Sequence, residues 1–268
     1  MPRIWEQGLV ATFSVPGYKD MILEHYAAFQ RPGVEIEVHG VRDDAGARAR
    51  AISGRAVNYA YLQHLHDHQI LKNVRRAEQE GFDAVVIGAI QDPALQIAKS
   101  IVDIPVLGYG EVSMHVACLV GERFSVMAIN PAIEQVLSRQ IRDRGLTSRA
   151  APTSYLECGY TDLEAAVAGE PAAFLQAFER AALTAINDHG ADVLIPGQTI
   201  ITELLWKAGI TSVEGAVVLD PRVALLHTVD MLLDLKKAGA MISRRGFFWT
   251  TPPKELFDDV LDYYEDAE

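Results

Sequence analysis

The feature that most constrains the fold of this chain is a nine-residue segment that occurs twice. The residues from Glu80, EGFDAVVIG, return from His189 as HGADVLIPG, so that Asp83 and Asp192 are 109 residues apart. In each copy a helical pattern ends at Gly and an Asp opens a buried apolar run. The repeat predicts two similar half-domains. A chance match of common helix, Gly and strand patterns is the alternative.

Short β-rich runs alternate with helical periodicity along the chain, which is typical of βα units around a parallel sheet. Strands are predicted at residues 8–14, 34–39, 84–88, 106–108, 124–129, 153–156, 193–196 and 216–219. Helices are predicted at residues 18–30, 69–80, 93–100, 112–120, 132–144, 172–189, 202–208 and 221–237. The expected fold is α/β, with two pseudo-symmetric flavodoxin-like half-domains, parallel sheets and a cleft between them. The first lobe takes residues 1–121 and 215–268, and the second takes 122–214.

Charge and composition narrow the class of partner. The net charge is −12, from 24 Lys and Arg against 36 Asp and Glu, so nucleic acid and acidic membranes are poor partners. No run approaches the roughly 18 apolar residues of a membrane span, and the N-terminus lacks a secretory layout. Two cysteines are too few for a disulfide framework, which favours a cytoplasmic, reduced protein. The apolar stretches 223–235 and 247–249 suggest a homo-oligomer, although burial in the core explains them equally.

Parallel strands bring their carboxyl ends to one cleft, so residues 89–92 and 198–202 are expected on its opposite walls. Gly110 and Glu111 lie where a strand leads into a helix, and free N–H groups there attract an anion; an ordinary glycine turn is the alternative. Gly197, Gln198 and Thr199 repeat this arrangement, where an amide or hydroxyl would polarise a carbonyl.

These paired motifs resemble the aspartate/glutamate/hydantoin racemase superfamily, in particular the hydantoin and allantoin racemases. The resemblance rests on residues 81–87 with Asp92-Pro93, on 104–111, on 190–195 with Gly197 and Thr199, and on the ending Ser243-Arg244-Arg245-Gly246 with 252–253. It implies the two-lobed fold and a small carbonyl substrate. In that family one cysteine follows each of two strands, and the thiols exchange a proton on opposite faces of the stereocentre. The motifs place Ala89 and Gln198 at those positions.

The resemblance also assigns substrate contacts. Ser14-Val15-Pro16-Gly17 stands where the family has an Asn-Pro-Asn loop, so Ser14 is expected to bind substrate, with Ala89 and Gln91 on the first wall. Arylmalonate decarboxylases of the same superfamily keep one thiol and run a different reaction. With neither thiol, the reaction of this chain is left open.

Other side chains are therefore candidates for catalysis. Asp92 is either a general base or the N-cap of a helix that begins at Pro93, and the cap is favoured. Glu203 is either an acid/base group or part of a solvated helix face. Cys158 follows a strand end and would be a relocated thiol only with a lowered pKa. Three histidines lie close together in the sequence: His64, His66 and His68. They could supply a general base or the ligands of a divalent metal; the alternative is a polar connecting segment with no catalytic role.

Two functions of different classes follow. The first is an enzyme that acts on a small carboxylate, cyclic amide or related carbonyl compound by a lyase, hydrolase or isomerase reaction without a cysteine pair. The second is a binding protein that kept the cleft and lost catalysis. A cofactor-independent racemase with substituted bases ranks third. The cofactor is expected to be absent or a divalent metal.

Overall fold

The first lobe is built on a four-stranded parallel sheet. The computed structural model describes residues 1–9, 16–42, 56–240 and 242–265. The strands run in the order β2-β1-β3-β4, and each neighbouring pair is parallel. Their bounds are β1 (Arg3–Gly8), β2 (Glu35–His39), β3 (Ala84–Gly88) and β4 (Val106–Gly108). Buried apolar residues fill β3 and β4 because helices cover both faces of a parallel sheet.

The second lobe repeats this strand order. Its sheet has the order β6-β5-β7-β9-β8, in which only β8 is antiparallel to its neighbour. The bounds are β5 (Phe124–Ala128), β6 (Ser154–Tyr155), β7 (Val193–Pro196), β8 (Ser212–Val213) and β9 (Ala216–Val218). Strands β5, β7 and β9 thus correspond to β1, β3 and β4.

Ten α-helices connect and cover the strands within the described ranges, and no helix there is long and apolar enough to cross a membrane. They are α1 (Tyr18–Phe29), α2 (Ala60–Gln79), α3 (Leu95–Ile101), α4 (Tyr109–Val120), α5 (Glu134–Asp143), α6 (Tyr160–Val167), α7 (Ala172–Asn187), α8 (Thr199–Lys207), α9 (Pro221–Lys237) and α10 (Lys254–Glu265).

The repeated segment has the same role in both lobes. The carboxylate of Asp83, at the start of β3, accepts a hydrogen bond from the N–H of Arg3, where β1 begins. The carboxylate of Asp192 likewise accepts hydrogen bonds from the N–H groups of Glu122 and Arg123, just before β5. Each Asp therefore ties together the first residues of two neighbouring parallel strands. The α/β fold with parallel sheets and two similar halves is confirmed.

Three predicted boundaries are corrected. The first strand begins at Arg3 and not at Gly8, because Glu6 and Gln7 interrupt its apolar pattern yet are buried; residues 10–14 of the predicted strand lie outside the described ranges. Helix α2 begins at Ala60, not at 69, and so includes the polar His segment. Strand β9, placed with the first lobe, pairs with β7 in the second sheet. Helix α9 then returns to pack on α4 of the first lobe.

Candidate functional site

Hydrogen bonds across the lobes hold the carboxyl ends of the two sheets together. The hydroxyl of Tyr109, the first residue after β4, donates to the carbonyl oxygen of Pro196 at the end of β7 (2.7 Å) and lies 2.6 Å from the Thr202 hydroxyl. The hydroxyl of Tyr18 on α1 donates to Oγ1 of Thr199 (2.6 Å). Helix α8 is therefore anchored to the first lobe from its first turn onward.

A buried ion cluster lies beneath this contact. Arg222, at the start of α9, is 2% exposed, and its Nη1 lies 2.6 Å from both carboxylate oxygens of Glu6 on β1. Its Nε donates to the carboxylate of Glu203 on α8. Glu203 is fully buried, so the prediction of a solvated helix face was wrong. One guanidinium thus joins β1, α8 and α9, and without it the buried carboxylate of Glu6 would lose its cationic partner.

His25 extends the cluster into α1. Its Nδ1 lies 2.9 Å from Glu203, its Nε2 lies 2.8 Å from Asp220, and its ring stacks on Trp206. Burial alone would lower the pKa of His25, but the hydrogen bonds to Asp220 and then Glu203 outweigh it, so the pKa is raised. The imidazolium form fits this position because both ring nitrogens face carboxylates.

Asp92 is buried in the loop after β3 and contacts four donors. Its Oδ1 accepts from the N–H of Gly110 (2.7 Å) and its Oδ2 from the N–H of Glu111 (2.7 Å). Arg144 (2.6 Å) and Gln140 (3.3 Å), from the second lobe, also donate to Oδ2. Burial raises the pKa of Asp92 to about 7, although the charge of Arg144 and the two N–H groups act against that rise.

Asp92 does cap a helix, as predicted, but the helix is not the one that was expected. Helix α3 begins at Leu95 with Ala94 as its N-cap and no capping side chain, so Asp92 does not cap a helix at Pro93. It caps α4 instead. A Cβ on Gly110 would lie 2.2 Å from the carbonyl oxygen of Ile90, and one on Gly108 would lie 2.3 Å from Asp92, so the two glycines allow this loop to approach. Gly110 and Glu111 already bind a carboxylate of the protein itself; their contact with substrate stays a prediction.

The second strand end is more open. Gly197 is buried, Gln198 and Thr199 are half-buried, and no side chain in the described part of the chain caps α8. The Oε1 of Gln198 accepts a hydrogen bond from the N–H of Ile129 (3.2 Å). The amide NH2 of Gln198 is the group left to donate. On the opposite wall Ala89 is buried and Gln91 is half-buried.

The histidine cluster lies on α2 and not on an extended loop. His64 and His68 are exposed and His66 is half-buried, and burial lowers the pKa of His66 although Asp67 raises it. Of the residues that the structure describes, no three His, Cys, Asp or Glu side chains are placed to hold a metal ion. The expectation that His64, His66 and His68 bind a metal is therefore not supported by their arrangement. The side chains of Asn58 and Asn130 hydrogen-bond at 2.7 Å, which brings the start of α2 to the end of β5.

Two further candidates do not strengthen the site. Burial, and then the charge of Asp162, raises the pKa of the Cys158 thiol, so Cys158 lacks the lowered pKa that a nucleophile requires. Ser14 lies outside the described residues.

Sequence reasoning missed Glu6, His25 and Arg222. Two signals were present: a Glu directly after the apolar pair Ile4-Trp5, and an Arg at the second position of the helix that begins at Pro221. Neither signal identifies its partner, because Glu6 and Arg222 are 216 residues apart.

Two parallel-sheet lobes whose strand ends face each other define a class of enzymes that bind small molecules between repeated halves. The family model for Asp/Glu/hydantoin racemase matches residues 12–229. The chain belongs to this family.

Relatives agree with that assignment. The chain is 26% identical over 204 residues to a hydantoin racemase of Pseudomonas sp. strain NS671, covering 76% of this chain and 78% of the relative. Among solved structures, allantoin racemase from Pseudomonas fluorescens aligns with a TM-score of 0.73 at 21% identity, covering 94% of this chain and 98% of that one. Allantoin racemase from Klebsiella pneumoniae gives 0.70 at 22%, covering 95% of each chain. At this identity the structural likeness shows the fold alone.

Proposed function

We propose that this protein is an enzyme that acts on a small carboxylate, cyclic amide or related carbonyl compound without a cysteine pair, and that its reaction is an isomerisation by proton transfer next to the carbonyl group. The observation that carries the proposal is the anchoring of α8 by Tyr18, Tyr109 and Arg222. Buried charge is costly, and proteins concentrate it where a site needs fixed geometry. Lyase and hydrolase reactions in the same cleft are the nearest alternatives.

Gln198 is the residue we assign to the substrate carbonyl. Because Ile129 occupies its Oε1, its NH2 group donates to an oxygen that gains negative charge as the proton leaves. The uncapped start of α8, with Thr199, adds N–H groups and the positive end of the helix dipole.

His66 is the residue we assign to proton transfer. Its lowered pKa keeps the imidazole neutral at pH 7, the form that accepts a proton. The hydrogen bond between Asn58 and Asn130 brings the first turns of α2 toward the second lobe. Asp92 acts as a positioning residue that fixes the start of α4, because its carboxylate already accepts hydrogen bonds from the N–H groups of Gly110 and Glu111 and from Arg144.

The test is exchange of the substrate's α-proton for deuterium, followed by proton NMR in D2O together with optical rotation, on hydantoins, allantoin and small α-substituted carboxylates. For a substrate that turns over, Gln198→Ala and His66→Asn should each lower kcat/KM by about 100-fold or more, as expected for an oxyanion donor or a general base. His227→Asn is the control, since His227 is half-exposed on α9 and pairs with Asp230. Unchanged exchange in both variants would refute the assignment.

A binding protein without catalysis is the second candidate. The motif alignment places apolar Ala89 and the amide Gln198 where the family has thiols, and neither exchanges a proton at neutral pH. Saturable binding of a hydantoin or carboxylate that is lost in Gln198→Ala, with no exchange over many hours, would select this function. Multiple turnovers of any compound would exclude it.

A further inference from the structure

An apolar cavity of about 550 Å³ lies at the outer edge of the first sheet. Its walls are residues 104–107 of the edge strand β4 and its approach, the last turns of α9 at Leu232 and Leu235, and Trp249 of the C-terminal segment. Its volume lies within the range of about 300–1,000 Å³ typical of small-molecule sites. Leu232 is ten residues beyond Arg222, or about 15 Å along the helix axis, so the cavity is separate from the strand ends.

The wall formed by the C-terminal segment is fixed by Arg244. Its Nη2 donates to the carbonyl oxygen of Val102 (2.7 Å) and to Asp103 (2.5 Å), and its Nη1 donates to the carbonyl oxygen of Lys99 (3.0 Å). These contacts hold residues 242–249 beside β4 while leaving the space between them open. Specific hydrogen bonds therefore fix this wall of the cavity in place.

The rim of the cavity carries one uncompensated positive charge. Lys99 pairs with Glu111 (2.6 Å) and Arg244 with Asp103. Lys236 also lines the cavity, and no carboxylate partner for it occurs in the part of the chain that the structure describes. On a chain of net charge −12, a free ammonium above an apolar wall attracts a ligand with one negative charge and an apolar body.

We infer that this cavity binds a small amphiphilic carboxylate, with its hydrocarbon part against Ile104, Leu232 and Leu235 and its carboxylate at Lys236. This site is independent of the proposed reaction, since none of these residues takes part in it. The charge and the apolar wall argue for a ligand with one carboxylate and a hydrocarbon part, since each buried CH2 contributes about 0.8 kcal/mol, and an eight-carbon acid is small enough to serve as the probe.

Trp249 supplies a local readout, because it lines the cavity and quenching by bromine requires contact. We would titrate the full-length protein with ω-bromooctanoate while following tryptophan fluorescence, and confirm the stoichiometry by calorimetry. Quenching should saturate at one equivalent, disappear in Trp249→Phe, and be reversed by octanoate. Octanamide, which has the same chain without the charge, should compete about tenfold more weakly, as expected for the loss of one charged contact.

Lys236→Glu should raise Kd by about tenfold or more, whereas Lys237→Glu, the same charge change one residue further along, should stay within about twofold. Lys237 is exposed, pairs with Asp234 and does not line the cavity. Leu235→Glu is a second variant that removes part of the apolar wall at an exposed position and should also abolish quenching.

Three results would overturn the inference. The first is binding of octanamide as tight as that of octanoate, and the second is an equal effect of Lys236→Glu and Lys237→Glu; either would show that Lys236 recognises no anion. The third is a second copy of the chain in the cavity: sedimentation would then show a dimer that Leu235→Glu dissociates, and ω-bromooctanoate would not quench Trp249 in the dimer.

Discussion

The two strand ends that correspond in the repeat, after β3 and after β7, are built differently. After β3 the chain forms a loop in which Asp92 and Ala94 have positive φ (47° and 57°), and α3 begins only at Leu95. After β7 the helix begins at once, at Thr199. The two lobes thus share their strand order, but a loop separates β3 from its helix whereas β7 leads almost directly into α8.

The two strand ends therefore differ in whether the N–H groups of a nearby helix start are already bound. In the loop after β3, the carboxylate of Asp92 accepts hydrogen bonds from the N–H groups that begin α4, so the first lobe satisfies its own helix terminus. The start of α8 in the second lobe has no side-chain cap among the described residues and carries the free amide of Gln198. An anionic or carbonyl ligand should therefore favour the start of α8 over the start of α4, whereas the sequence predicted free N–H groups at both helix starts.

The largest expected effect is the loss of the charge that fixes the second strand end. Arg222→Met should lower the free energy of unfolding by about 3–5 kcal/mol, because Glu6 stays buried without its cationic partner and Glu203 is left with His25. Urea denaturation followed by circular dichroism measures this. Arg139→Ala, in an exposed pair with Asp143, should change it by less than about 1 kcal/mol. Equal stability of Arg222→Met and wild type would show that α8 is held by packing alone.

The first strand end is tested by the pH dependence of Asp92. Its pKa is raised from 3.8 to about 7, so the folded state binds more protons than the unfolded state between these values. The contribution of Asp92 to the free energy of unfolding is therefore complete below pH 3.8 and is lost as the pH rises to 7. Relative to Asp92→Asn, which does not titrate, wild type should lose about 2–4 kcal/mol over this range. If wild type instead gains stability over Asp92→Asn in this range, Arg144 and the two N–H groups outweigh burial.

The close approach of the Asp92 loop can be tested by adding one methyl group. Gly110→Ala should lower stability by about 1–3 kcal/mol, because its Cβ would lie 2.2 Å from the carbonyl oxygen of Ile90. Gly159→Ala is the control, since the nearest atoms there are at 3.8 Å and the expected cost is below about 1 kcal/mol. If the two substitutions lower the free energy of unfolding equally, the loop that carries Asp92 moves readily and does not hold the start of α4 in a fixed position.

The sequence predicted the regions in which local pattern and tertiary environment agree. Strands β3, β4 and β7 were placed correctly because their residues are apolar, bounded by Gly or Pro, and buried on both faces. Strand β1 was misplaced because Glu6 reads as a surface residue until its contact with Arg222 is known. Helix α2 was begun too late because residues 60–68 are mostly polar, although they continue an amphipathic helix.

The site was less predictable for the same reason. Gln198 and Thr199 became candidates from their place after a strand, and Asp92 from its place before Pro93, since both are local signals. The contacts of Asp92 with Gly110 and Arg144 join segments 18 and 52 residues away, and those of His25 with Glu203 span 178. Such pairings depend on how the two lobes meet, which no local pattern in a single sequence records.

The smallest expected effect concerns the contact between His25 and the second strand end. The pKa of His25 is raised above 6.5 by Asp220 and Glu203 despite burial, so its stabilising contribution is complete below pH 6.5 and is lost as the pH rises through the folded-state pKa. His25→Gln should abolish this part of the pH dependence, as unfolding in urea at a series of pH values from about 6.5 to about 9 would measure. His115→Gln, on the exposed face of α4, should leave the dependence as in wild type. A wild-type stability that rises over this range would mean that burial dominates and His25 is neutral, in which case Arg222 alone compensates the carboxylates beneath Gln198.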